Sequence, residues 1–541
     1  MAKCCPEASA PVNVDAGQSG VDVRNRVTRS VPIVGAMLAG LLALLSWAFA
    51  SPVASAPDDD LHIANIYCVS DSSTCRSQDW DWPFPQPWWA DDPADRTGPE
   101  YEGAQEAYPD LWPNPRPREY PCYISNGTGT YSPNAAIAPT CLGLEDPADN
   151  QPGTVDILTY YPQHYYRAMA VFTQDTIRKS VATWRVVNVL LAVVMFTIAL
   201  RLTAPSHRRA VAVSAVIASI PLGMFLIASD HPASWMLIGT AAFLGPAITL
   251  LRSPPAVRPV IARVAFLILC LVMLVAGRSE GVLHAGALIV VALLLGLKGS
   301  RVVYWSVGAV AVVLAILALV VTQASDATKA QLNLVWLTDG VGDGRLWDSL
   351  MSTPQYFFGT IPTAVGWLDI VPGPITAIAS NAAFWGAILL GLAVMFWRKA
   401  FAVGFVLVGL LVVPAVLVAG GAQPYLLRYF LPLMYALAFA ALVPRWGGWL
   451  PAWSRAQWLA LWVAVSVANS VALLYVNARF VSGISEGTTN PRNLAATPTP
   501  DWWWDLWFGP FANWLVGSVA FAVAVGLLWS RSSATRAVVV D

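Results

Sequence analysis

"VPIVGAMLAGLLALLSWAFA" (31–50) runs directly into "SPVASAPDDDLHIANIYC" (51–68). The first stretch carries no charged side chain and has the length, about twenty residues, that a helix needs to cross the hydrocarbon core of a bilayer. The second sets three consecutive aspartates and a histidine against the end of that span. Two questions follow: how many such spans the chain has, and what so much charge does at a membrane surface.

Composition answers the first in outline. Of 541 residues, 56% are hydrophobic and 12% are charged, against roughly a quarter charged in a soluble domain. Mean hydropathy is +0.55. The class is an all-α polytopic membrane protein. A net charge of −1 supplies no field for a nucleic-acid partner; the lipid bilayer is the partner the composition implies. Lysine occurs only at Lys3, Lys179, Lys298, Lys329 and Lys399, and arginine supplies the other positive charges. With the abundance of Ala and Val, this suggests a GC-rich bacterial genome.

Apolar periodicity predicts twelve helices: 31–50, 184–204, 210–228, 233–251, 260–277, 281–297, 302–322, 376–396, 400–419, 424–443, 457–476 and 511–530. Basic residues cluster in cytoplasmic turns. With a cytoplasmic N-terminus, Arg24, Arg26 and Arg29 lie inside, as do Arg201, Arg208 and Arg209, Arg252 and Arg258, Lys298 and Arg301, Arg398 and Lys399, Arg445 and Arg455, and Arg531 and Arg536. Every even-numbered helix then ends in a basic turn, and both termini face the cytoplasm of a bacterial plasma membrane. "SPVASA" (51–56) has the look of a signal-peptide cleavage site, but the acidic segment after it reads as positioned by an intact helix.

The chain therefore divides into a tail (1–30), a first span (31–50), an extracytoplasmic loop (51–183), spans two to seven (184–322), a second outer loop (323–375), spans eight to eleven (376–476), a third outer loop (477–510), and a last span with its tail (511–541). The polar mass lies outside, so the outer face is where a substrate would be handled. No GxxxxGK[ST] motif occurs, which argues against an ATP-driven pump.

Four of seven cysteines, Cys68, Cys75, Cys122 and Cys141, fall in the first outer loop. An even number in an exported loop reads as two disulfides; Cys68–Cys75 with Cys122–Cys141 is the simplest of three connectivities. A zinc site is the alternative, and the spacings lack C-x₂-C. The tryptophans of "DWDWPFPQPWW" (79–89), "LWPNPRPREYPCY" (111–123) and "PDWWWDLWFGPF" (500–511) could stack on sugar rings, but read more simply as interfacial anchors.

After Pro57, a helix beginning at Asp58 would put Asp58 and His62 on one face, with Asp59 beside them. Acidic residues also complement the dipole of a helix N-terminus, which accounts for one or two aspartates but not for three and a histidine. Three other outer positions carry charge: Asp230 and His231 in "ASDHPAS" (228–234), Arg278 and Glu280 in "GRSEG" (277–281), and Arg428 in "QPYLLRYFLP" (423–432). Ionisable groups at membrane depth are costly and face a cavity or a partner. Arginines suit a phosphate. Carboxylates suit a general base or a divalent cation, magnesium or manganese, on Asp58 and Asp59. Together they permit sugar transfer from a lipid phosphate: Arg278 or Arg428 holds the phosphate, and a loop carboxylate takes a proton from the acceptor hydroxyl.

Several stretches resemble the bacterial membrane proteins grouped as domain-of-unknown-function family 2142, itself similar to the GT-C glycosyltransferases. "APDDDLH" resembles that family's Pro-Asp-Glu-x-x-His, with Asp59 in the Glu place. "YYPQHYYRAMAVF" (160–172), which carries His164, and "WRVVNVLLAVVMF" (184–196) resemble the approach to the second span and its start. "VGWLDIVP" (365–372) and "RYFLP" (428–432) resemble two later segments. The chain departs from the family where Gln423 is separated from Arg428 by "PYLL", and where "SDHP" replaces Asn-Pro-x. The resemblance implies a GT-C-like fold and an inverting transferase with a polyprenyl-phosphate sugar donor and a cell-envelope glycan or lipid acceptor. It implies Asp58 as catalytic base, Asp59 and His62 as its metal or substrate partners, and Arg428 on the lipid phosphate. Arg278, Asp230, His231, Glu280 and His164 are then further substrate contacts. A transporter or lipid-linked glycan flippase, or a non-catalytic envelope scaffold, are the competing readings.

Overall fold

A computed structural model of the chain describes residues 34–53, 55–56, 59–70, 162–174, 177–252, 257–278, 280–297, 305, 345–355, 365–366, 370, 372–419, 429–444, 453–482, 504, 506 and 508–534. Among these it is helical throughout. The one β feature among the described residues is an antiparallel bridge between Val365 and Ile370. Gly366, beside it, adopts φ 66°, a left-handed conformation that glycine alone takes without strain.

Among the described residues, seven helices are long and apolar enough to cross a membrane: Arg178–Leu202, Ala233–Arg252, Pro259–Gly277, Pro374–Leu392, Trp397–Ala415, Arg455–Phe480 and Pro510–Trp529. Three shorter apolar helices, Val34–Ala48, Gly281–Gly296 and Leu431–Leu442, coincide with further expected spans. The expected span 302–322 lies outside the described residues except for Trp305. The lipid-facing side of the bundle is apolar: Val34, Leu38 and Leu42 on the first helix, and Ile261, Ile268 and Val272 on a later one, are exposed. That inverts the pattern of a soluble protein and suits hydrocarbon as solvent.

The stretch 210–228 differs most from expectation. It forms two helices, Pro205–Ser219 and Leu222–Ile227, separated at Ile220 and Pro221. Proline lacks the N–H that a continuous helix would need there. Non-helical backbone at this depth must be enclosed by protein, and the segment from Ile217 to Ala228 is buried throughout. Ser219 Oγ donates to the Ala215 carbonyl (2.5 Å) and therefore accepts from Tyr435 Oη at 2.6 Å.

Close packing uses glycine where backbones meet. A Cβ on Gly239 would lie 2.7 Å from the Cys270 carbonyl, which is how Ala233–Arg252 and Val257–Gly277 approach so closely. The first helix is held by Trp47 Nε1 donating to Asn469 Oδ1 (2.9 Å) and by Asn513 Nδ2 donating to the Ser46 carbonyl (2.8 Å).

The basic turns gather at one end. Arg252 donates to the carbonyls of Leu295 (2.6 Å) and Pro444 (3.4 Å) and meets His207 Nε2 at 2.6 Å. Arg263 donates to Leu202 O (3.1 Å), Arg398 to Leu297 O, and Lys399 to Gly391 O (2.6 Å). Cations at helix C-termini satisfy the last carbonyls and oppose the dipole. The turns that the charge pattern assigns to one side of the membrane thus meet in space.

Candidate functional site

At the opposite end, the chain leaving the first helix wraps one guanidinium. Arg185 lies within Ile177–Leu202 and is 1% exposed. A guanidinium has five N–H donors, and each has a partner. Nε donates to Asp230 Oδ1 (3.2 Å). Nη1 donates to the carbonyls of Ala48 (3.0 Å) and Ser51 (2.8 Å). Nη2 donates to Pro52 O (2.9 Å) and Ser55 Oγ (3.2 Å). Asp59 Oδ2 stands 3.7 Å from Nη2, and the Trp504 ring lies 5.6 Å from the guanidinium carbon. Two buried carboxylates share one cation. Use of all five donors of the guanidinium offsets the desolvation of the buried charge.

Asp59 opens the helix Asp59–Ser70, and its Oδ2 accepts the Ala56 amide at 2.8 Å. One turn on, His62 Nδ1 lies 2.9 Å from Tyr166 Oη. Its ring meets the His231 ring edge-on, with centroids 4.5 Å apart. The proline turn after Asp230 aims His231 back at its own helix: the Ala233 amide donates to His231 Nδ1 at 2.9 Å, so that nitrogen carries no proton. Asp230 and His231 are both fully buried.

Behind this row, Tyr165 Oη donates to the Asp230 carbonyl (2.6 Å) and accepts from Asn188 Nδ2 (3.0 Å). Asn188 Nδ2 also donates to Ser229 O (2.8 Å), and its Oδ1 accepts from Trp235 Nε1 (3.1 Å). Tyr165 sits on the short helix Gln163–Ala170, outside the candidate spans. Burial, first, and then the charge of Asp230 push its phenol well above the usual value of 10.0.

The second charged turn lies alongside. A Cβ on Gly277 would come within 2.7 Å of the Pro232 carbonyl and 3.3 Å of Trp235 Cβ. This contact presses the 277–281 turn against the 230–232 turn. There Arg278 Nε donates to Glu280 Oε1 (2.5 Å), and the guanidinium stacks on Tyr429, 4.0 Å from its centroid. Next to it, His284 packs edge-on against Phe430 at 6.2 Å.

The structure thus brings Asp59, His62, Asp230 and His231 together at one end of the bundle and sets Arg278 and Glu280 beside them. The helix begins at Asp59, and it is Asp59, three residues before His62, that shares the buried face. Asp58 and Arg428 lie outside the described residues, as do Gln423 and the expected pairings of Cys68, Cys75, Cys122 and Cys141. His164 is exposed; its neighbours Tyr165 and Tyr166 enter the cluster instead. Trp504, expected in an interfacial belt, is 3% exposed and packs edge-on against Phe49 at 5.5 Å. Arg185 and Asn188, both within "WRVVN", complete the cluster, and neither carries a signal in the sequence.

Of the expected metal ligands Asp58 and Asp59, only Asp59 is among the described residues. No three His, Cys, Asp or Glu side chains converge on one point among the described residues. The cationic place between Asp59 and Asp230 is taken by Arg185. Arg185 also has no donor left for a ligand phosphate, so its work is to organise. Chemically, the cluster offers two imidazoles for proton movement, phenols, and carboxylates with one net negative charge between the acids and Arg185.

Residues 41–437 match a family model described as predicted membrane protein (DUF2142). No curated protein and no solved structure gives a match.

Proposed function

We propose that this chain, which belongs to the DUF2142 family of predicted membrane proteins, is an integral membrane glycosyltransferase of the bacterial plasma membrane. On this reading it has twelve spans with both termini cytoplasmic, and a disulfide-bearing first outer loop. It moves a sugar from a polyprenyl-phosphate donor to a cell-envelope glycan or lipid acceptor on the extracytoplasmic face. The observation that carries the reading is the convergence of Asp59 and His62 with Asp230 and His231 at one end of a membrane bundle, beside the Arg278–Glu280 turn. Buried ionisable groups in a membrane protein mark sites of function.

The step is a single displacement. The acceptor hydroxyl attacks the anomeric carbon and its proton passes to a carboxylate, assigned to Asp58. The bond from that carbon to the donor phosphate oxygen breaks, and the polyprenyl phosphate leaves with the electron pair. Configuration at the anomeric carbon inverts. Arg278 and Arg428 are assigned to the leaving phosphate, where positioned cations stabilise developing charge. Asp59, whose charge already faces Arg185, is assigned to holding the loop that presents Asp58. The expected magnesium or manganese on Asp58 and Asp59 enters only as an added-metal arm of the assay, and no step runs through it.

The test is the envelope sugar composition and linkage of a deletion strain complemented with wild type or Asp58→Asn at matched expression. Restoration by wild type alone supports the transferase and identifies the sugar. Full restoration by Asp58→Asn removes the base and the mechanism with it.

One observation favours the second reading, a transporter or lipid-linked glycan flippase. The helix pair Pro205–Ser219 and Leu222–Ile227 is broken inside the bundle, and discontinuous helices are a feature of transporters. Cysteines placed along this segment should then alternate in accessibility from the two sides; fixed accessibility speaks against transport.

A further inference from the structure

Asn65 lies two turns into the acidic helix, at the three-residue spacing that carries Asp59 and His62. It is 0% exposed. Both its amide nitrogen and its amide oxygen lack a hydrogen-bond partner. Leaving a whole amide dry and unpaired is among the costliest things a buried side chain can do. The second orphan is Asp230 Oδ2, equally buried, whose sister oxygen is held by Arg185. The row runs from Asp230 and Asp59 on Arg185 to the His62–His231 pair, and Asn65 follows on the same helix three residues after His62.

We infer that Asn65 and Asp230 Oδ2 bind the hydroxyls of a sugar, in the donor that the proposed function requires. The inference rests on that function for its choice of carrier lipid. The chemistry follows from what each orphan needs. Asn65 offers a donor and an acceptor on one rigid amide, and Asp230 Oδ2 only accepts. Neighbouring hydroxyls, each both donor and acceptor, satisfy both groups. A phosphate does not: it would bring only acceptors to Asp230, in a place where two carboxylates and one guanidinium already leave a net negative charge. Phosphate therefore belongs to the Arg278 turn and sugar to the Asn65 row, a division that matches the two ends of a polyprenyl-phosphate sugar.

A buried orphan with no ligand and one with a ligand respond oppositely to the same substitution. Replacing an unpaired amide by an apolar group of similar shape is neutral or stabilising. Replacing one that holds a ligand loses the ligand. The experiment uses the purified full-length chain in detergent. Thermal unfolding is measured with polyprenyl phosphate alone, and with polyprenyl-phosphate hexose and pentose, for wild type and Asn65→Leu.

Expected is a sugar-dependent rise in melting temperature for wild type beyond that from polyprenyl phosphate. Asn65→Leu should melt no lower than wild type without lipid, yet need about tenfold more sugar lipid for half its effect, the worth of one lost hydrogen-bonding group. Its response to polyprenyl phosphate should be unchanged. Should Asn65→Leu fail to fold, Asn65→Ala, which is smaller and strands no polar atom, stands in under the same criterion. An undiminished sugar response in the variant, or no sugar-dependent shift in wild type, overturns the inference. The two proposals fail separately. A strain whose glycan needs Asp58 but tolerates Asn65→Leu keeps the transferase and loses this site. Sugar-lipid binding that needs Asn65, in a chain whose deletion leaves the glycan intact, keeps the site and loses the transferase.

Discussion

Arg185 Nε lies 3.2 Å from Asp230 Oδ1, and Nη2 of the same guanidinium lies 3.7 Å from Asp59 Oδ2, so one residue of the helix Ile177–Leu202 ties together the two acidic segments that sequence places 171 positions apart. Arg185→Met keeps the volume of the stem and removes the charge. Two buried carboxylates and three carbonyls then lose their donor. Breaking a buried pair from one side costs about 3–5 kcal/mol, and the expected outcome is loss of folded protein after detergent extraction, read by size exclusion and thermal unfolding. Arg185→Lys retains the charge but offers three donors where five are used. It should fold with a lowered melting temperature and still lack activity. Adding Asp230→Asn to Arg185→Met should recover part of the stability, since it removes one of the two stranded charges.

Tyr165 holds the Asp230 carbonyl and Asn188 at once. Tyr165→Phe strands an amide donor in a buried site, and about 1–2 kcal/mol of stability should go with it. The pH dependence has a definite sign. Burial and the Asp230 charge raise the phenol above 10.0 in the folded chain, so above pH 10 the unfolded chain loses this proton first. Stability therefore falls as pH rises past 10 and is unaffected below it. Tyr165→Phe should flatten that alkaline limb of a melting-temperature titration; an unchanged limb would assign it to other groups.

Gly277 sets the distance between the two charged turns. Its closest would-be neighbours are backbone atoms, Pro232 O at 2.7 Å and Met236 N at 3.2 Å, which cannot swing aside as a side chain can. Gly277→Ala should cost about 1–3 kcal/mol by overpacking and move the Arg278 turn away from Pro232. Gly404→Ala has open space around its Cβ and serves as the control, with stability equal to or slightly above wild type because alanine is the better helix former. Equal melting temperatures for the two variants would mean the turns separate without cost.

Much of this was legible in the chain, and the failures have causes. Asp59, His62, Asp230 and His231 were visible because charge in a short turn or at the end of an apolar run has no bland home in a membrane protein. Arg185 was hidden by its position: an arginine at the edge of a hydrophobic stretch reads as an interfacial anchor, and only the helix beginning at Ile177 puts it eight residues inside. Asn65 and Asn188 carry no charge and so no signal. The break at Pro221 was available in principle, since proline interrupts a helix, but an unbroken apolar run outweighed it in setting 210–228 as one span. A tryptophan's type alone points Trp504 to the interface, and its neighbours Phe49 and Arg185 bury it.

The basic end carries its own prediction. Arg252 reaches Leu295 O, Pro444 O and His207 from one guanidinium, so it joins the ends of helices that sequence separates widely. The positive-inside pattern is usually taken as a signal for insertion alone; here the same charge closes helix C-termini, where a cation is favoured by the dipole. Arg252→Ala should insert with unaltered topology, because Arg258 remains in the same turn, yet lose about 1–3 kcal/mol from the unpaired carbonyls. Arg252→Lys should recover only part of this, as one ammonium lacks the span of a guanidinium. Thermal unfolding of the three proteins, beside protease accessibility of the intact membrane from each side, separates the two roles. A variant that melts like wild type but inverts or loses its topology would make Arg252 an insertion signal alone.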